Sequence, residues 1–456
     1  MDDYNEQFMW KRQPDAENLA VKILDRCLDA HSGLQRLNHD LHVMTSTRLF
    51  DWVDHLATSS SRELHDSLKR SGYEEEGRFD GSVSYRHFGA QLPTIVMTDD
   101  PDNVMGCAVK VESIADFLMA HGLDRRIEGS FFSPYRRSLV SEENDISFWV
   151  VERRGTRTME PSSPSWEYVT DYLEAMELWQ TRPRESLDEK AELQTAIELA
   201  KDMVLQVGRD VAAWIVCEGE RKYWQFKNMA GQIQKGRQDR LGMGWANHDH
   251  HTFRSSRTNF AKLVELFEVL GFTCRERFYA GEEAGWGAQV MENANATLVL
   301  FLDVDLSPDE VAIDFAHEPL SEPQSLGTVG LWCALHGDSI LKAGMHHLEA
   351  QFNFEDLKHD LSRLGIGLMD PFSDFSYLRQ AFTNADIWRV DPKRVDALVH
   401  KNLITSEQAT QFLEEGAVGS VMENLQRREG YKGFNQKNVS NILRRTDPRR
   451  GVAGDV

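Results

Sequence analysis

The chain contains 456 residues, of which 41% are apolar, and it carries a formal net charge of −22. This composition is typical of a soluble globular protein with two or three domains. So large a negative charge repels phosphate backbones and anionic lipids, which disfavours nucleic acid and membrane surfaces as partners and favours a small molecule. The first residues lack the apolar core of a signal peptide, and no apolar run is long enough to cross a bilayer, so we expect a cytoplasmic protein.

Five cysteines are scattered singly along the chain, without the paired spacing of a zinc site or a redox motif. They are Cys27, Cys107, Cys217, Cys274 and Cys333. We expect them to be reduced and mostly buried. Any metal in this protein must then be held by histidine and carboxylate side chains.

In chain order, a helical opening at residues 18–30 precedes a pattern that occurs four times. A short strand leads into an amphipathic helix that ends at a glycine, and two or three strands follow. The four glycines are Gly72, Gly122, Gly271 and Gly365. Four βαβββ-like units predict an α+β fold, with one pair of units near 35–155 and another near 245–430. Each pair is expected to form a curved mixed sheet around a cavity.

A helical segment is predicted between the second and third units, from about residue 164 to 240. It opens with a turn-and-cap cluster at 162–165. One helical face carries Leu193, Ile197, Ala200, Val204 and Val207. The predicted domains are an N-terminal pair of units (1–160), a helical connection (161–244), a C-terminal metal-binding domain (245–435) and a polar tail (436–456).

Within the helical segment, residues 221–240 interleave basic and aromatic side chains, a pattern also found in proteins that bind single-stranded nucleic acid. The acidic charge of the whole chain favours a different interpretation. We expect a solvated helix that packs Tyr223, Trp224 and Phe226 against the catalytic half.

The densest group of chemistry-bearing residues is NHDHHTFRSSR, residues 247–257, where the first strand of the third unit is expected. Alternation along a strand predicts one face with His248, His250, Thr252 and Arg254 and another with Asp249, His251 and Phe253. A histidine and an arginine thus line one surface. An imidazole suits a divalent transition metal, and a guanidinium nearby can hold a carboxylate in bidentate fashion. The alternative is that these histidines are only polar surface.

A second histidine pair, His346-His347, opens the fourth unit at the equivalent point. On a strand, His347 and Glu349 share a face, which makes His347 the candidate ligand. The 2-His-1-carboxylate arrangement holds Fe(II) and leaves open positions for substrate and dioxygen. The two imidazoles supply two of its three ligands, and the carboxylate is still missing. Spacing does not choose the third ligand among the candidates Glu349, Asp303, Asp305 and Glu423. The sequence contains no phosphate-binding loop, no nucleophile elbow and no HExxH helix.

The C-terminal half, from about residue 245 to 429, resembles the 2-oxoadipate dioxygenase/decarboxylase family, a branch of the vicinal oxygen chelate superfamily. The resemblance rests on the order of HDHHTFR, GWGAQV…LVLFLDVD, LWCALHGDSILKAGMHHLEAQF, LRQAF and GSVMENLQRRE. It implies that His250, His347 and Glu423 hold the metal and that Arg254 binds the substrate.

The chain departs from that family in two respects. His346 stands before the second ligand, where the family usually has asparagine, and the large N-terminal half is additional. In that half, Asp54-His55 resembles the first strand of the family, but the opening strand of the second unit, residues 107–111, has no histidine. We therefore expect the N-terminal pair to be structural, with His55 as a hydrogen-bonded interior residue.

The activity implied by the resemblance is that of a non-haem Fe(II)-dependent dioxygenase/decarboxylase. Its substrates are a small 2-oxo carboxylic acid and dioxygen, and its products are a 2-hydroxy acid and carbon dioxide. A shell of Trp245, Phe253 and Trp286 is expected to keep the site dry. Two alternatives stay open: a vicinal oxygen chelate enzyme that uses Zn, Mn or Ni for isomerisation or hydrolysis, and a non-catalytic ligand-binding scaffold.

Overall fold

The structure, a computed structural model, describes residues 6–79, 81–98, 105–185, 188–282, 284–322, 325–435 and 447–449. Two curved mixed β-sheets, of seven and eight strands, are separated along the sequence by a run of four helices. The predicted α+β class, with tandem βαβββ units and an inserted helical segment, is confirmed. Most of the predicted polar tail at 436–456 lies outside the described residues.

The described residues of the N-terminal part combine four helices with the seven-stranded sheet. Its elements are α1 (Pro14–Ala30), α2 (Ser32–Thr45), β1 (Val53–Ser59), α3 (Arg62–Arg70), β2 (Glu74–Phe79), β3 (Ser82–Arg86), β4 (Thr94–Thr98), β5 (Met105–Lys110), α4 (Ile114–Ala120), β6 (Tyr135–Glu143) and β7 (Ile146–Arg153). The strand order is β2-β3-β4-β1-β5-β7-β6.

In the second unit, two strands, β6 and β7, follow the helix among the described residues, which agrees with the predicted two or three. One detail of this part differs from the sequence prediction. Helix α2 was not predicted, although Leu34, Leu37 and Leu41 recur at helical spacing and are buried. The segment from 35 to 45 is therefore helix and not part of the first unit.

The helical segment consists of α5 (Trp166–Thr181), α6 (Glu189–Val207), α7 (Arg209–Lys227) and α8 (Met229–Asp239). Trp224 is buried, and the hydroxyl of Tyr223 donates to the carbonyl of Lys342 at 2.9 Å, so both residues contact the C-terminal domain as predicted. Phe226 is 82% exposed, which corrects the prediction that it packs inside. It lies on the outer face of α7, since a helix turns 100° per residue and residues two positions apart lie on nearly opposite sides.

The C-terminal domain contains the eight-stranded sheet. Its elements are β8 (His248–Arg254), α9 (Phe260–Val269), β9 (Thr273–Tyr279), β10 (Trp286–Asn293), β11 (Leu298–Asp305), α10 (Thr328–His336), β12 (His347–Gln351), α11 (Phe354–Arg363), β13 (Ser373–Phe375), β14 (Leu378–Phe382), β15 (Ile387–Trp388), α12 (Pro392–His400), α13 (Ser406–Glu414), β16 (Ala417–Val418) and β17 (Val421–Arg427). The strand order is β13-β14-β17-β12-β8-β11-β10-β9, and β15 pairs with β16 separately.

The two faces of the eight-stranded sheet differ in chemistry. One face belongs to a large apolar core that also includes residues of α5 to α9, and it carries Phe253, Leu300, Leu348 and Met422. Each fully buried side chain of this kind stabilises the fold by roughly 1.5–3 kcal/mol. Alternate residues of the same strands face the other way, and these are the polar residues that the sequence analysis selected.

The five cysteines are unpaired, and four of them are buried, as predicted, while Cys274 is half-buried. Among the described residues, none of the helices has the length and apolar content needed to cross a membrane.

The four predicted helix-terminating glycines all adopt the left-handed backbone conformation, with φ of +90° at Gly72, +63° at Gly122, +82° at Gly271 and +81° at Gly365. This conformation ends a helix at little cost only for a residue without a Cβ. The glycine pattern in the sequence therefore marked real helix ends.

Two glycines with the same backbone conformation but different surroundings provide a stability test. A Cβ at Gly122 would meet open space, whereas one at Gly242 (φ +67°) would overlap the backbone of Phe117 in α4. Gly122→Ala should lower the free energy of unfolding by about 1–2 kcal/mol. Gly242→Ala should lower it by about 1–3 kcal/mol more, because the packed backbone must move. Urea denaturation of both variants measures the difference, and equal losses would show that the contact between Gly242 and α4 is unimportant.

Candidate metal centre

Three neighbouring strands bring the candidate ligands together at the middle of the eight-stranded sheet. The Nε2 atom of His347 lies 2.9 Å from Oε2 of Glu423, and Nε2 of His250 lies 3.9 Å from the same oxygen. One ligand atom from each residue lies within 4.8 Å of the other two, and all three side chains are buried. Two atoms that are each about 2.1 Å from a metal ion are about 3.0–4.2 Å apart for bond angles of 90° to 180°. The 3.9 Å distance lies within this range and the 2.9 Å distance just below it, so both histidines lie close enough to Glu423 to share a metal ion with it.

Strand pairing causes this convergence. Strand β12 pairs antiparallel with β8 and parallel with β17, so that Glu349 stands directly opposite both His250 and Glu423. Side chains opposite one another on adjacent strands lie close together on the same face of the sheet. The strands thus place two imidazoles and two carboxylates in one small buried region.

Asp249 orients the ring of His250. Its Oδ1 lies 3.5 Å from Nδ1 of His250, and its two oxygens accept hydrogen bonds of 3.1 Å from Arg427. Burial alone would raise the pKa of Asp249, but Arg427 holds it well below the usual range. Further hydrogen bonds come from Gln91 (2.8 Å) and Gln351 (3.2 Å). Since Gln91 belongs to the N-terminal domain, both domains fix the orientation of His250.

The other two candidate ligands are also held by a second residue. The Nδ1 atoms of His346 and His347 are 2.8 Å apart, and Gln380 donates from Nε2 to Oε1 of Glu423 at 3.1 Å. Burial, and then the nearby His250, keeps the pKa of His347 well below its usual value. A neutral His347 whose Nδ1 is engaged presents Nε2 as a ligand atom, which is the usual arrangement at metal sites.

Glu349 provides a second carboxylate beside the candidate ligands. Its Oε2 lies 3.3 Å from Nε2 of His250, yet neither of its oxygens receives a well-oriented hydrogen bond from the described residues. Burial, and then the neighbouring Glu423, raises the pKa of Glu349. Burial would lower the pKa of His250, but Glu349 and Asp249 outweigh it and raise that pKa. Buried carboxylates with incomplete hydrogen bonding are the surroundings that a cation would stabilise.

Arg254 lies on the same strand face as His250 but does not reach the candidate ligands. Its Nε is 3.7 Å from Oδ2 of Asp303, and its guanidinium lies over the ring of Trp332, 5.5 Å from the centroid. Burial raises the pKa of Asp303 to about 7, against the influence of Arg254. Asp305 instead accepts backbone hydrogen bonds of 2.7–3.0 Å at the start of α10, from Gly327 onward. Neither aspartate therefore competes with Glu423 as a ligand.

A cavity of about 60 Å³ adjoins these residues. Its polar lining includes His250, His347, Glu423 and Arg254, the four residues that the resemblance selects. Its aromatic walls are Phe278, Trp286, Phe301, Phe372, Phe382 and Phe434. The cavity is suited to a small ligand with one anionic end, held away from bulk water.

The prediction that His248 shares a face with His250 is wrong. The register between β8 and β12 shifts between His250 and His248, which leaves Asp249 as the extra residue of a β-bulge. As a result, the ring of His248 contacts that of His251, with centroids 5.2 Å apart, and also that of Trp214. Asp249 turns toward His250 instead of away from it.

The predicted dry shell is correct only for Trp286. Phe253 and Trp245 lie in the helix-covered core and not in the cavity. Phe253 is three residues after His250, and an odd spacing along a strand places its side chain on the opposite face of β8. Trp245 precedes the strand, and its Nε1 donates to Gln225 at 2.8 Å.

Four residues of the site were not selected by sequence reasoning: Asp249, His346, Gln380 and Phe434. Asp249 directly precedes His250, so the sequence places the two residues side by side. Strict strand alternation, however, predicted that the side chain of Asp249 lies on the opposite face from that of His250. His346 was noted as the first residue of the second histidine pair and as a departure from the family, but not as a residue that orients His347. Gln380 and Phe434 come from distant segments, and no local pattern in the sequence marks them.

In the N-terminal sheet, His55 is hydrogen-bonded to Asp54 at 2.8 Å, as predicted. Arg153 binds the same carboxylate through two nitrogens, at 2.6 and 2.9 Å. The small cavity beside it, of about 80 Å³, has His55 as its sole histidine among the described lining residues. The described residues of this sheet therefore do not repeat the ligand arrangement of the C-terminal sheet.

No protein-family model and no curated protein matches the chain. A variant of 4-hydroxymandelate synthase from Streptomyces coelicolor is 12% identical, with a TM-score of 0.30 over 88% of this chain and 98% of that chain. Methylmalonyl-CoA epimerase from Mycobacterium tuberculosis is 12% identical, with a TM-score of 0.23 over 40% of this chain and 89% of that chain. An uncharacterized protein from Shigella flexneri is 12% identical, with a TM-score of 0.23 over 57% of this chain and 72% of that chain. Similarities this low carry no argument about activity, which has to be inferred from the site.

The role of the two histidines can be tested by metal content. His250→Ala and His347→Ala should each weaken metal binding by more than about 100-fold, because each removes a ligand, while the fold is retained. His39→Ala, at an exposed position on α2, is the matched control and should bind metal like the wild type. Metal analysis after dialysis, with circular dichroism to verify folding, makes the comparison. Full metal content in either ligand variant would exclude this site.

The two glutamates can be distinguished by isosteric changes. Glu423→Gln should lose most of the bound metal, because an amide is a far poorer ligand than a carboxylate for a hard divalent cation. Glu349→Gln should retain most of it. The same metal analysis applies, and the reverse result would identify Glu349 as the carboxylate ligand.

Proposed function

We propose that this protein is a non-haem Fe(II)-dependent dioxygenase/decarboxylase that acts on a small 2-oxo carboxylic acid. The observation that supports this most strongly is the convergence of His250, His347 and Glu423 in one cavity with Arg254. Two imidazoles and one carboxylate are the ligands typical of non-haem Fe(II) oxygenases. The resemblance of the C-terminal half to the 2-oxoadipate dioxygenase/decarboxylase family points to the same chemistry.

In this proposal, His250, His347 and Glu423 hold the metal, while Asp249, His346 and Gln380 orient them. When bound, Fe(II) supplies coordination positions for the carboxylate and keto oxygens of the substrate and for dioxygen. The protein contributes a fixed ligand geometry and a cavity with aromatic walls. Such walls exclude water, which strengthens electrostatic contacts with the substrate and limits side reactions.

Arg254 is the proposed anchor for a substrate carboxylate. Two of its guanidinium nitrogens, Nε and Nη1, have no hydrogen-bond partner among the described residues, although both are buried. An arginine is permanently charged and offers a planar pair of donors that matches a carboxylate. A substrate carboxylate that accepts from Nη1 and the neighbouring Nη2 would satisfy one of these two donors and fix the orientation of the reacting carbon.

The overall reaction balances without an external reductant. One 2-oxo acid and one dioxygen give one carbon dioxide and one 2-hydroxy acid that is shorter by one carbon. Oxidative decarboxylation of the substrate and hydroxylation of its own chain each provide two electrons, and together they reduce dioxygen fully. One oxygen atom enters the new carboxylate, and the other enters the hydroxyl group.

Glu349 favours a second candidate function. If its carboxylate joins the ligand set, the site has two imidazoles and two carboxylates, a harder set that also suits Mn²⁺ or another divalent cation. Such an enzyme would catalyse isomerisation or hydrolysis without dioxygen.

Oxygen uptake separates the two candidates. The protein is purified anaerobically, loaded with Fe(II), Mn(II) or Zn(II), and mixed with a series of small 2-oxo acids. The proposal predicts that the Fe(II) form alone consumes dioxygen, with one carbon dioxide released per dioxygen. Turnover of a substrate by the Mn(II) or Zn(II) form in the absence of dioxygen would favour the second candidate instead.

The role of Arg254 predicts a specific kinetic defect. Arg254→Lys keeps the positive charge but loses the bidentate geometry, so kcat/KM for a 2-oxo acid should fall by about 10- to 100-fold, or about 1–3 kcal/mol. Iron content should stay near the wild-type value, since Arg254 lies outside the ligand set. Steady-state kinetics and metal analysis on the same preparation test this. A wild-type kcat/KM, or a defect explained entirely by metal loss, would contradict the assignment.

A further inference from the structure

A second and larger cavity, of about 220 Å³, lies between the two sheets. The N-terminal sheet contributes Asp54, Lys110 and Arg153 to its lining, and the C-terminal sheet contributes Asp249 and Arg427. This interface cavity shares one lining residue, Phe434, with the cavity of the candidate metal centre.

The charge of the interface cavity is opposite to that of the whole chain. Its lining includes nine arginine and lysine residues but only five aspartate and glutamate residues, in a protein whose net charge is −22. A partly enclosed lining with an excess of one sign of charge attracts ions of the other sign. The lining therefore favours an anion.

Several of these cations are already neutralised by carboxylates. Arg153 is held by Asp54 at 2.6 Å, and Arg427 by Asp249 at 3.1 Å. Lys432 lies 3.0 Å from Glu292. These ion pairs leave little capacity in the carboxylates for further cations.

Two lining cations have no ion pair among the described residues. Arg428 donates to the carbonyl of Arg427 at 2.6 Å, whereas Lys110, at the end of β5, has neither kind of partner. No carboxylate of the described residues lies within ion-pair distance of its ammonium group, and no hydrogen bond is formed by it. Asp54 and Asp249 are the carboxylates that act on it electrostatically. Asp54 is occupied by Arg153 and His55, while Asp249 is occupied by Arg427 and two glutamines.

We propose that the interface cavity is a binding site for a small, doubly charged oxyanion, with Lys110 as its central contact. The ligand class is a compact dianion that carries carboxylate or phosphate groups. Lys110 is half-buried and lines the cavity without an ion-pair partner among the described residues. An oxyanion in the cavity supplies the missing hydrogen bonds and charge. The site gives the N-terminal domain, which lacks the histidine arrangement, a role in ligand binding.

The interface cavity is separate from the candidate metal centre but adjoins it. The ring of Phe434 lies between them, with its centroid 5.1 Å from that of His250. Asp249 forms part of the cavity lining and also contacts His250. Loss of the metal ligand His250 removes neither Lys110 nor the paired arginines, so anion binding should survive it.

Calorimetric titration with glutarate and with inorganic phosphate, at low ionic strength, tests the proposal. We expect wild-type protein to bind at least one of the two anions with one site per chain. Binding of glutarate alone would identify carboxylates as the preferred groups, and binding of phosphate alone would identify phosphate groups. Lys110→Met should weaken the binding by at least about tenfold, the scale of one charge-assisted hydrogen bond.

Three further variants complete the test. Lys22→Met, at an exposed position on α1, removes the same charge and should bind like the wild type. His250→Ala should also bind like the wild type, because the anion does not use the metal. Lys110→Gln should show the same loss as Lys110→Met. Both Lys110 variants should melt at or above the temperature of the ligand-free wild type, because a half-buried charge without an ion-pair partner is removed.

Several results would overturn the proposal. One such result is that neither anion binds the wild type. Another is that the Lys110 variants bind the anion as tightly as the wild type does. Loss of binding in His250→Ala would place the anion at the metal centre. Unfolding of both Lys110 variants would show that the lysine is structural.

Discussion

The structure depends on the pairing of β8, β12 and β17 at the middle of the C-terminal sheet. One antiparallel and one parallel ladder set Glu349 opposite both His250 and Glu423, and His347 two residues before it on the same face. A shift of one residue in either ladder would turn these side chains into the apolar core and the core residues into the cavity. The register is fixed by the other face of the same strands, where Phe253, Leu348 and Met422 pack under the helices. Packing and chemistry are thus specified together.

This arrangement places several ionisable groups in a buried region, at a cost of several kcal/mol for each unpaired charge. His250, Glu349 and Glu423 compensate one another only in part, as the raised pKa values of both glutamates indicate. The large core shared with α5 to α9 offsets that cost. Stability and function therefore come from opposite faces of one sheet, and a divalent cation is the simplest group that would relieve the electrostatic strain.

Much of the architecture could be predicted because it depends on local patterns. Helix-terminating glycines such as Gly271 mark the repeated units, and the position of His347 after a turn follows from strand periodicity. The β-bulge at Asp249 could not be predicted, because it is set by pairing with β12, about 100 residues away in the sequence. Helix α2 was missed although its leucines are spaced as in a helix, since the repeat pattern was extended over it. The ion pairs that line the interface cavity join both domains and leave no signature in either segment alone.

The choice of Glu423 as third ligand illustrates the same limit. Spacing left four carboxylates open, and only the three-dimensional structure shows Asp303 beside Arg254 and Asp305 at a helix start. It also shows that Glu349 and Glu423 both lie near His250. No sequence pattern distinguishes between these two glutamates.

Anomalous X-ray diffraction from crystals grown anaerobically with Fe(II), recorded above and below the iron edge, tests the proposed centre most directly. We expect one iron per chain, about 2.0–2.2 Å from Nε2 of His250, Nε2 of His347 and a carboxylate oxygen of Glu423. An iron bound elsewhere, for example at the surface group of Glu268, Cys274 and His317, or no bound iron in a fully folded protein, would contradict it.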